Sequence, residues 1–305
     1  MQGRLKLGTR GSPLALAQAR KVAAAIDTAQ RWPEGYIEIV TVTTTGDRIQ
    51  DRPLAEIGGK GLWTKELDRA LLAEELHFCV HSMKDVESIR PDGIHIAAVR
   101  PRGDVRDRLI GAESIAALKP GAVVGTSSPR RKAQLLRLRP DLQIVPLRGN
   151  VETRLRKVEA GEVDATLLAS AGLKRLGIDA GHAIPTETIL PAPGQAVIGM
   201  ECRTNDTETQ SVLTTVNNDI TYACVMAERA FTRALGASCA SPVAAFAVLE
   251  DGDIRMRAQL FSEDGAEMIE DRAQFDCGDN ATPEALARDM LARAPDAIRR
   301  LFDAR

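Results

Sequence analysis

Two segments of the chain place a serine and arginine at the start of a helix-like run. Leu5-Lys6-Leu7-Gly8-Thr9-Arg10-Gly11-Ser12-Pro13 leads into residues 14–26. Ala122-Val123-Val124-Gly125-Thr126-Ser127-Ser128-Pro129-Arg130-Arg131 leads into residues 132–139. Each reads as a short apolar strand, a Gly-Thr turn, a serine at the helix N-cap and a proline in the first turn. Such a helix start exposes unpaired N–H groups and the positive end of the helix dipole, so it attracts anions. Guanidinium forks beside it suit carboxylates or phosphates. Two such starts predict two similar lobes that hold an anionic small molecule between them.

Further candidates follow the same logic. The segment 130–157 holds nine basic residues against two acidic ones. Arg130, Arg131, Arg148 and Arg154 fall at strand ends and helix starts, where they can face a ligand. Lys132, Arg137, Arg139, Arg156 and Lys157 read as a solvated helix face. Asp85 follows Lys84 after an apolar strand. A carboxylate among cations stays ionised and can offset developing positive charge or move a proton, or simply cap a helix or form a salt bridge. Cys239 lies in the small-residue loop Gly236-Ala237-Ser238-Cys239-Ala240-Ser241-Pro242, which reads as a reachable thiol or as a cysteine in a tight turn. The five cysteines form no CxxC pair, which argues against a disulfide framework or a zinc ribbon. His77, Cys79 and His81 alternate on one strand face but match no zinc spacing, so no metal is expected. Gly58-Gly59-Lys60-Gly61 fails the phosphate-loop pattern, and residues 47–61 read as a mobile flap.

The elements that position these residues alternate as strand and helix. Strands end at Thr41–Asp47 and Phe78–Ser82 in the first lobe, and at Ile144–Asn150 and Ala165–Ser170 in the second, with helical patterns between them. This predicts parallel, doubly wound sheets with the ligand at the strand carboxyl ends. The expected division is residues 1–100 with 197–214 for the first α/β lobe and 101–196 for the second. Residues 219–305 form an α+β domain that carries Cys239. The lobes cross near Arg100–Asp104 and return through Leu190-Pro191-Ala192-Pro193-Gly194-Gln195. A net charge of −2 and 3% aromatic residues disfavour nucleic acid. No apolar run approaches the roughly 18–20 residues of a membrane span. No leader pattern opens the chain, so a cytoplasmic protein is expected.

Several strings together resemble the hydroxymethylbilane synthase (porphobilinogen deaminase) family over essentially the whole chain. They are Gly58-Gly59-Lys60-Gly61-Leu62, Val80-His81-Ser82-Met83-Lys84-Asp85-Val86, Val124-Gly125-Thr126-Ser127-Ser128, Leu147-Arg148-Gly149-Asn150, Ala171-Gly172-Leu173-Lys174-Arg175-Leu176-Gly177 and Ala227-Glu228-Arg229-Ala230. The resemblance implies two lobes like those of type II periplasmic binding proteins plus the C-terminal domain. It implies a monomeric transferase that joins four porphobilinogen units into hydroxymethylbilane with release of ammonia. It also implies a dipyrromethane cofactor on Cys239 through a thioether, with Lys84, Ser128, Arg130, Arg131, Arg148 and Arg154 around it. Asp85 would be catalytic, stabilising the azafulvenium cation left by ammonia. Arg10, Ser12, Lys60, Arg175 and Gln195 would serve the substrate, Gln195 from the hinge. Glu56, Trp63, His77, Ala196 and Ala237-Ser238 depart from the family's usual residues. The alternative is a non-catalytic two-lobed binding protein for an anionic small molecule, which would need neither Cys239 nor Asp85.

Overall fold

In the computed structural model, which describes residues 4–48 and 63–302, the two Gly-Thr turns belong to two sheets of the same design. The strands run β1 (Lys6–Arg10), β2 (Glu38–Val42), β3 (Phe78–Ser82), β4 (Ile94–Val99), β5 (Asp107–Ile110), β6 (Val123–Gly125), β7 (Gln143–Val145), β8 (Ala165–Ala169), β9 (His182–Ala183) and β10 (Ile198–Arg203). One sheet has the order β2-β1-β3-β10-β4 and the other β7-β6-β8-β5-β9. The repeat seen in the sequence is therefore a repeat of topology, and the chain forms two lobes.

The expectation of parallel sheets fails at one strand in each lobe. β10 is antiparallel to β3 and β4, and β5 is antiparallel to β8 and β9. The reason is the crossing. β5 and β10 each enter their sheet straight from the other lobe, so each begins at the cleft and runs away from it. Ile198 accordingly pairs with Ser82, and Asp107 with Ala169, at the carboxyl ends of their neighbours.

The helix starts form as their sequences predict. α1 (Pro13–Gln30) is capped by Ser12, whose Oγ accepts from the Ala15 N–H at 3.3 Å. After the one-turn α2 (Thr45–Arg48) and α3 (Lys65–Leu72), a 3-10 turn spans Met83–Asp85. α3 stops short of the predicted Leu76, and Glu74 then adopts a left-handed φ of 60°. α4 (Pro129–Leu138) is capped by Ser128, whose Oγ accepts from the Arg131 N–H at 3.4 Å. Asn150 caps α5 (Val151–Glu159), and α6 (Ser170–Leu176) follows β8. After β10 come α7 (Thr207–Thr214) and α8 (Asp219–Ala234).

The remaining chain is an antiparallel meander, β11 (Val243–Glu250), β12 (Asp253–Phe261) and β13 (Met268–Phe275), followed by α9 (Ala281–Arg293) and α10 (Asp296–Arg299). Asp251 and Gly252 both have positive φ, the conformation a two-residue hairpin turn requires. Phe231 of α8, Met256 and Leu260 of β12 and Met290 of α9 share its core. Glu228 of α8 joins this unit to both crossings. Its wholly buried carboxylate accepts from Arg102 Nη1 at 2.6 Å, from the Gly194 N–H at 2.6 Å and from the Ala247 N–H at 2.8 Å.

A second buried carboxylate lies behind the first lobe's cleft edge. Glu201 of β10 receives Arg90 Nε at 2.7 Å and lies 3.2 Å from His81 Nε2. Burial pushes its pKa up, but His81 and Arg90 outweigh burial and hold it at about 2. The folded value lies below the unfolded one, so the ionised carboxylate contributes stability above about pH 4.5 that is lost as pH falls toward 2. Thermal melts between pH 2 and 5 are expected to show a shallower fall for Glu201→Gln than for the wild type. Equal slopes would remove Glu201 as a source of the acid sensitivity. His77 Nδ1 accepts from the Lys6 N–H, and Cys79 is buried. Among the described residues no group of three or more His, Cys, Asp or Glu side chains could hold a metal ion.

Candidate active site

The turn that carries Asp85 is built by its neighbours. β3 ends at Ser82, and the Met83 N–H donates to Val197 O of the return crossing at 3.0 Å. Two glycines let that crossing approach. A Cβ at Gly199 would lie 2.0 Å from Met83 Sδ, and one at Gly194 would lie 2.9 Å from the Met83 carbonyl carbon. The Arg229 guanidinium of α8 donates to Val86 O at 3.0 Å and also to Glu87 O, which fixes the peptides just after Asp85.

Asp85 stands where two cavities meet. One, of about 230 Å³, is walled by Cys239, Ser128 and Arg130; the other, of about 510 Å³, by Arg10, Ser12, Arg148 and Arg175. Trp63, Lys84, Asp85, Arg131 and Arg154 line both. The cleft is thus a pair of chambers, a thiol in one and two arginines beside a helix N-cap in the other, with a carboxylate at the junction.

Cys239 follows α8 on the predicted loop. It is exposed as a residue, yet its thiol is crowded by the chamber walls and donates to Lys84 O at 3.7 Å. Burial, then the charges of Asp85 and Glu87, push its pKa up to about 12. The thiol is therefore neutral at ordinary pH, and any bond it forms requires a group to take its proton.

The cations crowd one another. Burial lowers the Lys84 pKa, and Arg131 and Arg130 add to that while Asp85 and Asp107 oppose it. Arg154 falls to about 10 through burial and the charges of Arg131 and Arg148. Arg175 falls to about 10 through burial. A site that disfavours its own cations gains most from an anionic ligand, which relieves the repulsion. The Arg10 guanidinium lies 4.0 Å from the centre of the Trp63 ring, a cation–π contact at the wall common to both chambers.

Three predicted residues have other engagements. Arg130 and Arg131 line the cleft, but their guanidiniums are buried and turned to Asp107, the first residue of β5. Arg130 Nη2 reaches Asp107 Oδ2 at 2.8 Å, and Arg131 Nη2 reaches Oδ1 at 2.7 Å. Arg130 Nη1 also donates to Leu190 O, and its Nε is a buried donor with no hydrogen-bond partner. Gln195, expected at the substrate, is committed to the hinge. Its amide donates to Val105 O at 2.6 Å and to Asp107 Oδ1 at 3.0 Å, which clamps the outgoing crossing to the return one. The physical reason is proximity: Asp107 starts the strand that enters from the hinge, so it meets both arginines before any ligand does. Lys60, Glu56 and most of the predicted flap lie outside the described residues.

The return crossing contains one further departure. Ala196 has a φ of 71°, a left-handed conformation that costs an L-residue roughly 1–2 kcal/mol. Its carbonyl accepts from Arg175 Nη2 at 2.6 Å and from the Gly103 N–H at 3.2 Å.

Sequence reasoning missed Asp107, Arg102 and the roles of Glu228 and Arg229. The string Ala227-Glu228-Arg229-Ala230 marked the last two without showing what they hold. Asp107 carried no local signal, since its partners lie 23 to 88 residues away.

The sequence matches two family descriptions. "Porphobilinogen deaminase, dipyromethane cofactor binding domain" covers residues 5–211, and "Porphobilinogen deaminase, C-terminal domain" covers residues 222–293. The chain belongs to the porphobilinogen deaminase family. It is 52% identical to the porphobilinogen deaminase of Sphingopyxis alaskensis over 305 residues, covering 98% of this chain and 96% of that one. It is 45% identical to the porphobilinogen deaminase of Paracoccus denitrificans over 299 residues, covering 96% of each. Among solved structures, a periplasmic substrate-binding protein from Coxiella burnetii superposes with a TM-score of 0.42 at 15% identity, over 74% of this chain and 95% of that one.

Proposed function

We propose that this protein is a transferase that condenses four porphobilinogen units into hydroxymethylbilane, releasing ammonia at each joining, with a dipyrromethane bound through Cys239. The observation that carries the reading is the placement of Asp85 between a thiol chamber and an arginine-lined chamber. The dipyrromethane, when bound, supplies the pyrrole terminus on which the chain is built.

The residues present fit such a group. A reachable thiol opens into a cavity with crowded cations, and the partnerless Nε of Arg130 lies in the same wall. Lys84, Ser128, Arg148 and Arg154 would hold its acetate and propionate groups, with Arg130 and Arg131 supplying field from their seat on Asp107. Arg10, Ser12 and Arg175 would take the carboxylates of the incoming porphobilinogen, orienting its aminomethyl carbon toward Asp85. Lys60 would assist from outside the described residues. Gln195 would act through the hinge it clamps.

Asp85 would accept a hydrogen bond from the substrate pyrrole N–H. As the C–N bond of the aminomethyl group breaks and ammonia leaves, positive charge spreads over the substrate ring, and the carboxylate stabilises it. A new C–C bond then forms, and the displaced ring proton passes to Asp85 as the base. After the last unit, water closes the chain as a hydroxymethyl group. We also propose residues 1–100 with 197–214, 101–196 and 219–305 as the functional domains, since each carries one sheet.

The test is intact-protein mass spectrometry under denaturing conditions, with peptide mapping, on protein from cells that make porphobilinogen. The expected result is a covalent adduct of two linked pyrroles on the peptide containing Cys239. An unmodified Cys239 would overturn the reading.

A further inference from the structure

Arg175 enters the larger chamber from the last turn of α6 in the second lobe. Among the described residues it has no carboxylate partner. Its hydrogen bond goes to a neutral acceptor, the carbonyl of Ala196, at 2.6 Å. That carbonyl is aimed by a left-handed backbone on the return crossing, and it also accepts from Gly103 on the outgoing crossing. Ala196 and Arg175 both line the chamber. One contact therefore joins a chamber cation to a strained point on the hinge, where both crossings meet.

A guanidinium bonds a carboxylate about twice as strongly as a neutral carbonyl. A carboxylate arriving in the chamber competes for Arg175 with a ligand the chain itself supplies. Backbone strain persists only where surrounding contacts hold it. Losing Arg175 removes one of the two contacts recorded on the Ala196 carbonyl. The consequence reaches the turn that carries Asp85, because Val197 O accepts from the Met83 N–H and Gly194 packs on Met83 and Lys84.

We propose that Ala196 is a positioning residue: its carbonyl parks Arg175 on the hinge, and a porphobilinogen carboxylate draws the guanidinium away, so that filling the chamber loosens the crossing between the lobes. This rests on the assignment of Arg175 to the substrate. The ligand shifts the hinge because it binds Arg175 only when Arg175 has left Ala196, which supplies the differential affinity such a shift needs.

Hydrogen–deuterium exchange on the holoenzyme tests the coupling, with intact mass read in parallel. Porphobilinogen is expected to speed exchange at the Gly103 and Val197 amides of the wild type by about tenfold. In Arg175→Leu those amides are expected to exchange fast before any substrate is added, with no further gain. Amides of β12 serve as the folding control. If the variant does not fold, the wild-type comparison decides alone. An intact mass that grows by pyrrole units while the wild-type crossing amides stay as slow as before overturns the coupling but leaves the function standing. Slow exchange in a folded Arg175→Leu also overturns it. No mass increase at all would sink the functional reading and the coupling with it.

Discussion

Asp85→Asn is expected to keep the adduct on Cys239 and to lose turnover by about 10²–10⁴-fold, the range typical of removing a positioned acid–base group. Asparagine preserves the size of the side chain and one acceptor oxygen, so the turn at Met83–Asp85 and its support from Arg229 should survive. What it removes is the negative charge at the junction of the two chambers. That charge matters because its surroundings are cationic. Lys84, Arg131 and Arg154 line the same junction. They favour binding an anionic substrate and disfavour the cation that forms on its ring when ammonia leaves. Asp85 would reconcile the two demands, and an amide would not. The measurement is ammonia release and tetrapyrrole formation by a variant whose adduct has first been verified by mass. Asp85→Glu keeps the charge but displaces it, so it should retain more activity than Asp85→Asn. Wild-type turnover in Asp85→Asn would refute the role.

What could be read from the chain followed the range of each interaction. Ser12 and Ser128 were legible because a cap bonds an N–H three residues on, so Ser-Pro before an apolar-periodic run announces it. The hairpin at Asp251-Gly252 was legible for the same reason. Strand direction in β5 and β10 was not. Both look like any short apolar strand, and their sense is set by a crossing from the other lobe. The cluster of arginines was visible as composition, but its division was hidden. Arg130 and Arg131 turn to Asp107, whereas Arg154 and Arg175 stay on the chamber walls beside main-chain carbonyls. That outcome depends on a carboxylate more than twenty residues earlier meeting them at the hinge. Gln195 was misplaced for the same reason. The carboxylates that hold the assembly together, Glu201 and Glu228, are buried acids in apolar periodic segments, where a lone charge gives no hint of its partner.

Cys239→Ala is expected to give a folded protein with no pyrrole adduct and no detectable turnover. The substitution removes one sulfur from an exposed loop residue, and surface changes of this kind usually alter stability by no more than about 0.5 kcal/mol. Chemically the loss is complete, because the other described cysteines cannot substitute. Cys79, Cys202 and Cys224 are buried, with pKa values pushed up by burial. Cys277 is exposed but does not line either chamber. The variant also isolates the electrostatics of the empty cleft. Without a bound anion the repulsion that lowers Lys84 and Arg154 has nothing to offset it. The apoprotein should therefore melt below the holoenzyme, and added inorganic phosphate should raise its Tm more than that of the holoenzyme, since a ligand that binds the native state stabilises it. Thermal melts of both forms across a phosphate titration, with mass spectra of each sample, read the two effects together. An adduct on Cys277, or turnover in Cys239→Ala, would overturn the assignment of the thiol. Equal phosphate responses would instead mean that the cations are not what the bound pyrroles neutralise.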